Sequence, residues 1–169
     1  MIRDDGPIAI ALARLGRGLP ATALALAAFV PPLAAIALGR SHVLMLGAVV
    51  WVVFFGGVSA GGRRDRFDWV VPGLVRAGEY GLLVWMGLDG GFALAFALTL
   101  LHYDLVYRPR NLGAEPIVRW AGGWDCRLIV AWILLAIGAA PAGFFVLAAL
   151  IALLWLGGSP LVQRQGDAA

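Results

Sequence analysis

Long apolar runs, separated by short polar clusters and glycine pairs, dominate the pattern along this chain. A helix needs roughly 20 mostly apolar residues to cross the hydrocarbon core of a bilayer. The runs therefore predict an all-α membrane protein with about six transmembrane helices. These helices are expected at about 19–38, 42–60, 67–88, 91–107, 125–140 and 142–157, with a kink in the first one at Pro31 and Pro32.

The two ends of the chain differ from the six-helix domain, residues 19–157. In residues 1–18, three apolar side chains recur at helical spacing and two arginines fall on other faces, which predicts an amphipathic segment on the membrane surface. Residues 158–169 are polar and predict a mobile cytoplasmic tail. The apolar residues of the first segment are Ile8, Leu12 and Leu15, and its arginines are Arg14 and Arg17.

The boundary between the last two predicted helices is the least defined by the sequence. Residues 128–156 would form a single helix about 43 Å long at 1.5 Å per residue, which is too long for one crossing. Two helices joined tightly near Pro141 fit this length better, and one long kinked helix is the alternative.

The composition supports a bilayer as the solvent. The chain is 62% hydrophobic and 14% charged, whereas a soluble domain is about half apolar and about a quarter charged. The net charge is +3, and the 13 basic residues are all arginines. They form short clusters between apolar runs rather than one continuous face, which favours a role in membrane orientation over nucleic-acid binding.

The arginines also predict the orientation in the membrane. With six crossings, nearly all of them fall on one side, while Arg40 falls on the other and Arg76 lies within a helix. Short cytoplasmic loops are enriched in basic residues, so the arginine-rich side and both termini are predicted to face the cytoplasm at the cell (inner) membrane. The arginine-rich side carries Arg3, Arg14, Arg17, Arg63, Arg64, Arg66, Arg108, Arg110, Arg119, Arg127 and Arg164.

A narrow polar stripe follows the otherwise apolar third helix. At 100° per residue, Asp65, Asp68, Pro72, Arg76 and Glu79 fall within about 80° of one another. A charge near mid-bilayer costs about 2.5–3.5 kcal/mol, so Arg76 and Glu79 are expected to be paired and to face the protein interior. Their spacing permits a direct ion pair that only fixes the helix register. A functional polar cavity is the alternative interpretation.

Further candidate residues lie at the cytoplasmic end of the fourth helix. His102, Tyr103, Asp104, Tyr107 and Arg108 occur there at one membrane level. Tyrosine and arginine are typical of an interfacial belt, which accounts for Tyr103 and Arg108. His102 and Asp104 are less expected at this position, and they could orient a substrate or pair with Arg76.

The link to the fifth helix adds arginines and tryptophans. Arg119 and Arg127 are candidates for binding phosphate, because a guanidinium group matches phosphate oxygens with two parallel hydrogen bonds. Trp120 and Trp124 are predicted as anchors at the membrane interface. The lone Cys126 cannot form an internal disulfide, and the chain has no zinc-type Cys/His spacing.

The segment 76–80 (Arg-Ala-Gly-Glu-Tyr), which follows Asp68, resembles the third helix of the CDP-alcohol phosphatidyltransferases. Members of that family form a bundle of six transmembrane helices with a polar cavity facing the cytoplasm. They transfer a phosphoalcohol from a CDP-linked donor and use divalent metal ions held by aspartates. Segments 102–108 and 122–128 also resemble an uncharacterised actinobacterial membrane domain that accompanies such transferases.

The polar residues and the resemblance together nominate a site. The sequence departs from the transferase signature, because residues 54–62 contain no aspartate and Pro72 stands where a further aspartate is expected. Hard divalent cations need several oxygen ligands, so the resemblance implies the fold more strongly than the activity. The nominated residues are Asp68, Glu79 and His102 for catalysis, Arg76, Tyr80, Asp104, Tyr107, Arg108, Arg119 and Arg127 for phosphate or substrate, and Asp65 with Asp68 for Mg²⁺ or Mn²⁺ in an active protein.

Three functions are compatible with this sequence. The first is a degenerate transferase-like module of phospholipid metabolism that binds a lipid or phosphate head group, or partners an active transferase or nucleotidyltransferase. The second is an active membrane phosphotransferase with a rearranged site, and the third is a small transporter component. The expected partners are membrane lipids, a CDP-linked lipid and, because the helices are rich in glycine, a second copy in a homodimer.

Overall fold

A computed structural model describes residues 5–39, 41–112 and 122–166, with side chains described outside 104–112 and 157–166. The described chain is helical apart from turns and one isolated bridge between Pro20 and Arg63. The helices are α1 (Pro7–Leu12), α2 (Ala21–Ala27), α3 (Val30–Leu38), α4 (His42–Ala60), α5 (Val71–Leu112), α6 (Trp124–Ala136) and α7 (Ala140–Gly166), with 3₁₀ turns at Ala13–Gly16 and Asp68–Val70.

Three helical stretches within the described residues are long and apolar enough to cross a membrane. They are Ala21–Leu38, which joins α2 and α3, then His42–Ala60, and then Asp68–Tyr103. Ala140–Leu156 is a shorter apolar helix. The prediction of an all-helical chain with membrane-length apolar helices is thereby confirmed.

The first stretch breaks before its prolines rather than at them. The α-helical pattern stops at Ala27 and resumes at Val30, and Pro31 lies in the first turn of α3. A proline ring clashes with the carbonyl group four residues earlier. Pro31 and Pro32 therefore disrupt the turn at positions 27 and 28, which places the break upstream of the predicted kink.

α5 reverses its direction at Leu88. The backbone there is not helical (φ 44°, ψ −115°). In a straight helix, Tyr80 and His102 would lie about 33 Å apart, yet the Tyr80 hydroxyl and His102 Nδ1 are 2.6 Å apart. α5 is therefore a helical hairpin with a first arm at 71–87 and a second arm at 89–112, which matches the predicted separation of helices at this point.

α6 and α7 are separate helices joined by a tight turn. Gly138 has a positive φ of 74°, and the Ala139 N–H donates to the Leu134 carbonyl at 2.8 Å. The Gly138 N–H donates to the Leu135 carbonyl at 3.0 Å, which completes a Schellman motif. The break lies at Gly138, three residues before Pro141, and Pro141 itself lies in the first turn of α7, where a proline is tolerated. α7 continues to Gly166, so the described backbone is helical through most of the predicted tail.

The core forms where α7 packs along the α5 hairpin. Phe144 is fully buried and lies against Gly87 and Gly90, on either side of the reversal at Leu88. A Cβ atom at Gly87 would collide with the Phe144 ring. Glycine at this position therefore allows the closed end of the hairpin to approach α7.

The N-terminal segment packs onto the end of α4 through small residues. Ala9 is fully buried, and its Cα would lie 3.1 Å from a Cβ atom at Gly57. Farther along, a Cβ atom at Gly61 would collide with the Ala13 carbonyl. The protein-facing side consists of Ala9, Leu12 and Gly16 at helical spacing, whereas Leu15 is exposed.

A carboxylate clamp and a polar cavity at the arginine-rich end

Glu79 is the centre of a buried ion cluster. Its side chain is fully buried on the first arm of α5. Arg76 Nη1 donates to Oε2 of this carboxylate at 3.0 Å, and Arg127 Nε donates to Oε1 at 2.7 Å. The predicted direct contact between Arg76 and Glu79 is therefore present, and both charges face the protein interior.

Arg127 ties α6 to α5. Besides its bond to Glu79, its Nη1 donates to the Gly122 carbonyl at 2.7 Å, and the side chain is buried. Since a hydrogen bond to a charged group is worth about 1.5–3 kcal/mol, these contacts fix the start of α6 beside the first arm of α5. The guanidinium groups nominated for phosphate at positions 76 and 127 therefore both hold the same carboxylate.

Tyr80 and His102 join the two arms of the α5 hairpin. The Tyr80 hydroxyl lies 2.6 Å from His102 Nδ1, and the two rings lie 6.2 Å apart between centroids. The nominated substrate-binding tyrosine and the nominated catalytic histidine are thus brought together. This contact positions the imidazole relative to the first arm.

Asp65 and Asp68 do not continue the polar stripe of the third helix. The α-helix begins at Val71, and Asp68 lies in a 3₁₀ turn while Asp65 lies in the preceding loop. The predicted stripe assumed helical spacing from Asp65 onward, whereas Pro72 occupies the first turn of α5, where a proline favours a helix start. Only the helical part of the predicted stripe, with Arg76 and Glu79, forms one cluster.

Asp65 organises the loop before α5. Its Oδ1 accepts hydrogen bonds from Thr22 Oγ1 and from the Phe67 N–H, both at 2.8 Å. These two hydrogen bonds, first that of Phe67 and then that of Thr22, hold the pKa of Asp65 below its usual value. The pKa of Asp65 is lower in the folded state than in the unfolded state. The stability that its ionised carboxylate contributes is therefore present at neutral pH and is lost as the pH falls through the folded-state pKa.

The described residues do not assemble the divalent-metal site nominated for Asp65 and Asp68. No three His, Cys, Asp or Glu side chains among them lie close enough together to hold a metal ion. Asp65 is bound to Thr22, and Asp68 Oδ2 faces the Arg64 guanidinium at 3.8 Å. A hard divalent cation needs more oxygen ligands than this arrangement provides.

A polar cavity lies between the end of α4 and the start of α5. Its volume is about 170 Å³, and both Arg64 and Asp68 line it. The Arg64 side chain is 93% exposed, so its guanidinium is accessible to a ligand from outside the protein. The other lining residues are Ser59, Ala60, Gly62, Val71 and Pro72.

Asp125 has a structural role that the sequence did not reveal. Its carboxylate is fully buried and accepts hydrogen bonds from the backbone N–H groups of Gly6, Ile8 and Ala9, each at 2.9 Å. These are orphan donors at the N-terminus of α1, so a side chain 116 to 119 residues away caps this helix. The only local signal was an acidic residue in the first turn of a helix that follows two glycines.

Trp124 is a core residue rather than an interface anchor. Its exposure is 1%, and a Cβ atom at Gly56 of α4 would lie 2.7 Å from its ring. The indole Nε1 donates to Asp5 Oδ1 at 3.0 Å. The prediction that Trp124 anchors the chain in the membrane interface is contradicted by this burial, because the absence of a side chain at Gly56 leaves room for the whole indole ring in the core.

The remaining nominated residues lie outside the described side chains. They are Asp104, Tyr107, Arg108 and Arg119, and Trp120 is also among them.

One family model matches this chain. It covers residues 1–163 and is described as a family of unknown function, DUF5941. No curated protein and no solved structure matches the chain.

Proposed function

The chain belongs to DUF5941, a family of unknown function, and we propose from its own residues that it is a non-catalytic, multi-pass membrane domain. It crosses the bilayer six times and binds a phosphate-bearing ligand at its arginine-rich end. This ligand is the head group of an anionic or CDP-linked lipid, and the domain serves phospholipid metabolism beside an active transferase.

The hairpin geometry supports six crossings. The stretch Asp68–Tyr103 turns back at Leu88, so its two arms count as two crossings rather than one. The Schellman turn at Gly138 likewise separates α6 from α7. In this arrangement Gly39, Leu88 and Gly138 mark one side of the membrane, and the arginine-rich loops mark the other.

Cysteine accessibility tests the six-crossing topology. In a Cys126→Ala background, Ser41→Cys, Asp89→Cys and Ala139→Cys are expected to react with a membrane-impermeant maleimide in intact cells. Arg17→Cys and Arg66→Cys are expected to react only after permeabilisation. Protection of Asp89→Cys in intact cells would contradict two crossings by α5.

The observation that carries the non-catalytic assignment is that three buried or part-buried carboxylates, including the nominated Glu79 and Asp65, are engaged in structural contacts. Glu79 is held by two arginines, Asp125 caps α1, and Asp65 closes a loop. A catalytic acid, base or metal ligand must be available to the substrate. These three groups are instead bound to the protein that surrounds them.

The polar cavity supports phosphate binding. Arg64 lines it, and the neighbouring Arg63 is exposed on the same loop. A guanidinium group binds phosphate oxygens in a bidentate manner, and a cluster of arginines at the cytoplasmic membrane face is attracted to anionic lipids. The resemblance to CDP-alcohol phosphatidyltransferases adds a CDP-linked lipid to the candidate ligands.

Soluble phosphate ligands test the binding proposal without filling any acyl-chain site. Isothermal titration of the detergent-solubilised protein with glycerol 3-phosphate and cytidine 5′-diphosphate is expected to show binding by at least one of them. Arg64→Ala should weaken it about tenfold or more, the effect of losing one charge-assisted hydrogen bond. Arg66→Ala is the matched control, since that guanidinium lies over the Phe67 ring and does not line the cavity.

The same preparation distinguishes a binding module from an enzyme. With a CDP-linked lipid, an alcohol acceptor and Mg²⁺, no release of cytidine monophosphate is expected. Turnover that is lost in Asp68→Ala would replace the proposal with an active phosphotransferase. Equal affinity in wild type and Arg64→Ala would remove the cavity from consideration as the phosphate site.

A further inference from the structure

A second, wholly apolar groove lies between α4 and α6. Its volume is about 400 Å³, and its walls are α4 residues between 46 and 54 and α6 residues between 129 and 133. Leu12 of the N-terminal segment also lines it. The groove shares no lining residue with the polar cavity. Its size falls within the range of about 300–1,000 Å³ that is typical of sites for small ligands.

The groove opens toward lipid. Val50 and Phe54 of α4 and Ile133 of α6 line it and are exposed, and all three belong to helices within the apolar part of the chain. Water does not fill an apolar recess of this kind. In a bilayer, the molecules that can reach it are lipid chains and apolar helices.

The length of the groove matches one acyl chain in one leaflet. The α4 residues that line the groove run from Leu46 to Phe54, and Leu12 lies farther toward Gly57. At 1.5 Å per residue, the eight residue steps from Leu46 to Phe54 give the groove a length of at least about 12 Å along the helix. Half of a hydrocarbon core of roughly 30 Å is about 15 Å.

The end of the groove at Leu12 lies next to positive charge. Arg14 is two residues from Leu12, so their Cα atoms are at most about 7 Å apart, and both Arg14 and Arg17 are exposed. A lipid whose chain occupies the groove would place its head group at this segment. The charge there complements an anionic head group.

From these observations we propose that the groove between α4 and α6 binds one acyl chain of an anionic membrane lipid of the arginine-rich leaflet, with the head group at Arg14. This inference relies on the membrane embedding of the proposed function but not on its polar cavity. The lipid is held as a structural or regulatory ligand on the outside of the bundle. A second copy of this chain is the competing occupant.

Native mass spectrometry with phosphatidylglycerol tests the groove. The detergent-solubilised wild type is expected to retain one tightly bound lipid. Val50→Trp, which fills the groove, should remove it, whereas Val43→Trp on the same helix should not, because Val43 is exposed and lies outside the groove. Arg14→Ala should weaken phosphatidylglycerol about fivefold, the attraction of one arginine to an anionic surface, and leave phosphatidylcholine unchanged.

A second measurement leaves the groove intact. The fluorescence of Trp132 is obtained as the difference between the wild type and Trp132→Phe. In liposomes of brominated phosphatidylglycerol this fluorescence should be strongly quenched, since Trp132 lines the groove. Retention of lipid by Val50→Trp, or an unquenched Trp132, would overturn the proposal. A wild-type dimer that Val50→Trp dissociates would instead assign the groove to a second copy. Titration of glycerol 3-phosphate into Arg64→Ala tests only the polar cavity and does not depend on the lipid bound in the groove. The two proposals can therefore fail separately.

Discussion

Replacing Glu79 with alanine is expected to lower the free energy of unfolding by about 3–5 kcal/mol, the usual cost of breaking a buried ion pair by removing one partner. The carboxylate is fully buried and binds Arg76 and Arg127 at once. Without it, two guanidinium groups lose the anion they share in the protein interior, where an unpaired charge is costly. Thermal unfolding in a mild detergent, followed by circular dichroism and size-exclusion chromatography, measures the effect.

Two further variants give this test its controls. Glu79→Gln keeps the shape and one acceptor oxygen but neither the charge nor the second acceptor, so its loss of stability should be smaller than that of Glu79→Ala but clearly measurable. Asp89→Ala removes an exposed acid at the hairpin turn and should leave the unfolding temperature unchanged. If Glu79→Ala melts like Asp89→Ala, the cluster does not stabilise the fold.

The helices could be predicted because their signals are local. An apolar run of sufficient length predicts a membrane helix whatever it packs against, and α4 begins and ends where it was expected. The predicted positions of the helix breaks were less accurate, because a proline disrupts the turn before it and so moves the helix boundary upstream. At the end of α6, the decisive residue was Gly138 rather than the more conspicuous Pro141.

The candidate site could be predicted only where its partners are neighbours in sequence. Arg76 and Glu79 are three residues apart on one helix, so helical spacing alone places them in contact. The bond between Arg127 and Glu79 spans 48 residues, and the bonds of Asp125 to α1 span more than 110. No periodicity carries such information, because it depends on which helices pack together.

The first turn of α6 joins three parts of the fold. Trp124 fills the space beside Gly56 of α4, Asp125 binds the N-terminus of α1, and Arg127 binds Glu79 of α5. Each side chain leaves the helix in a different direction, as expected for residues at successive positions of a turn. An apolar contact, a set of hydrogen bonds and an ion pair therefore meet at one short segment. Removing one of these interactions should leave the other two in place if their partners are independent.

Asp125→Ala is expected to release the N-terminal segment while the rest of the bundle stays folded. The substitution removes the acceptor of three backbone N–H groups, and each buried donor left without a partner costs about 1–3 kcal/mol. Because these donors can regain hydrogen bonds by undocking into water, the segment should open more often. Amide exchange over residues 6–16 should accelerate by at least about tenfold, the equivalent of 1.4 kcal/mol.

Hydrogen–deuterium exchange with mass spectrometry measures this release directly, and it provides its own reference in the same sample. Peptides from Ala140–Leu156 should exchange as in the wild type, because their core contacts with α5 do not involve Asp125. Asp125→Asn keeps one acceptor oxygen but presents an N–H₂ group to the α1 donors, so its effect should approach that of alanine. If the N-terminal peptide of Asp125→Ala stays as protected as in the wild type, the small-residue contact with α4 is enough to hold α1, and the carboxylate is not its main attachment.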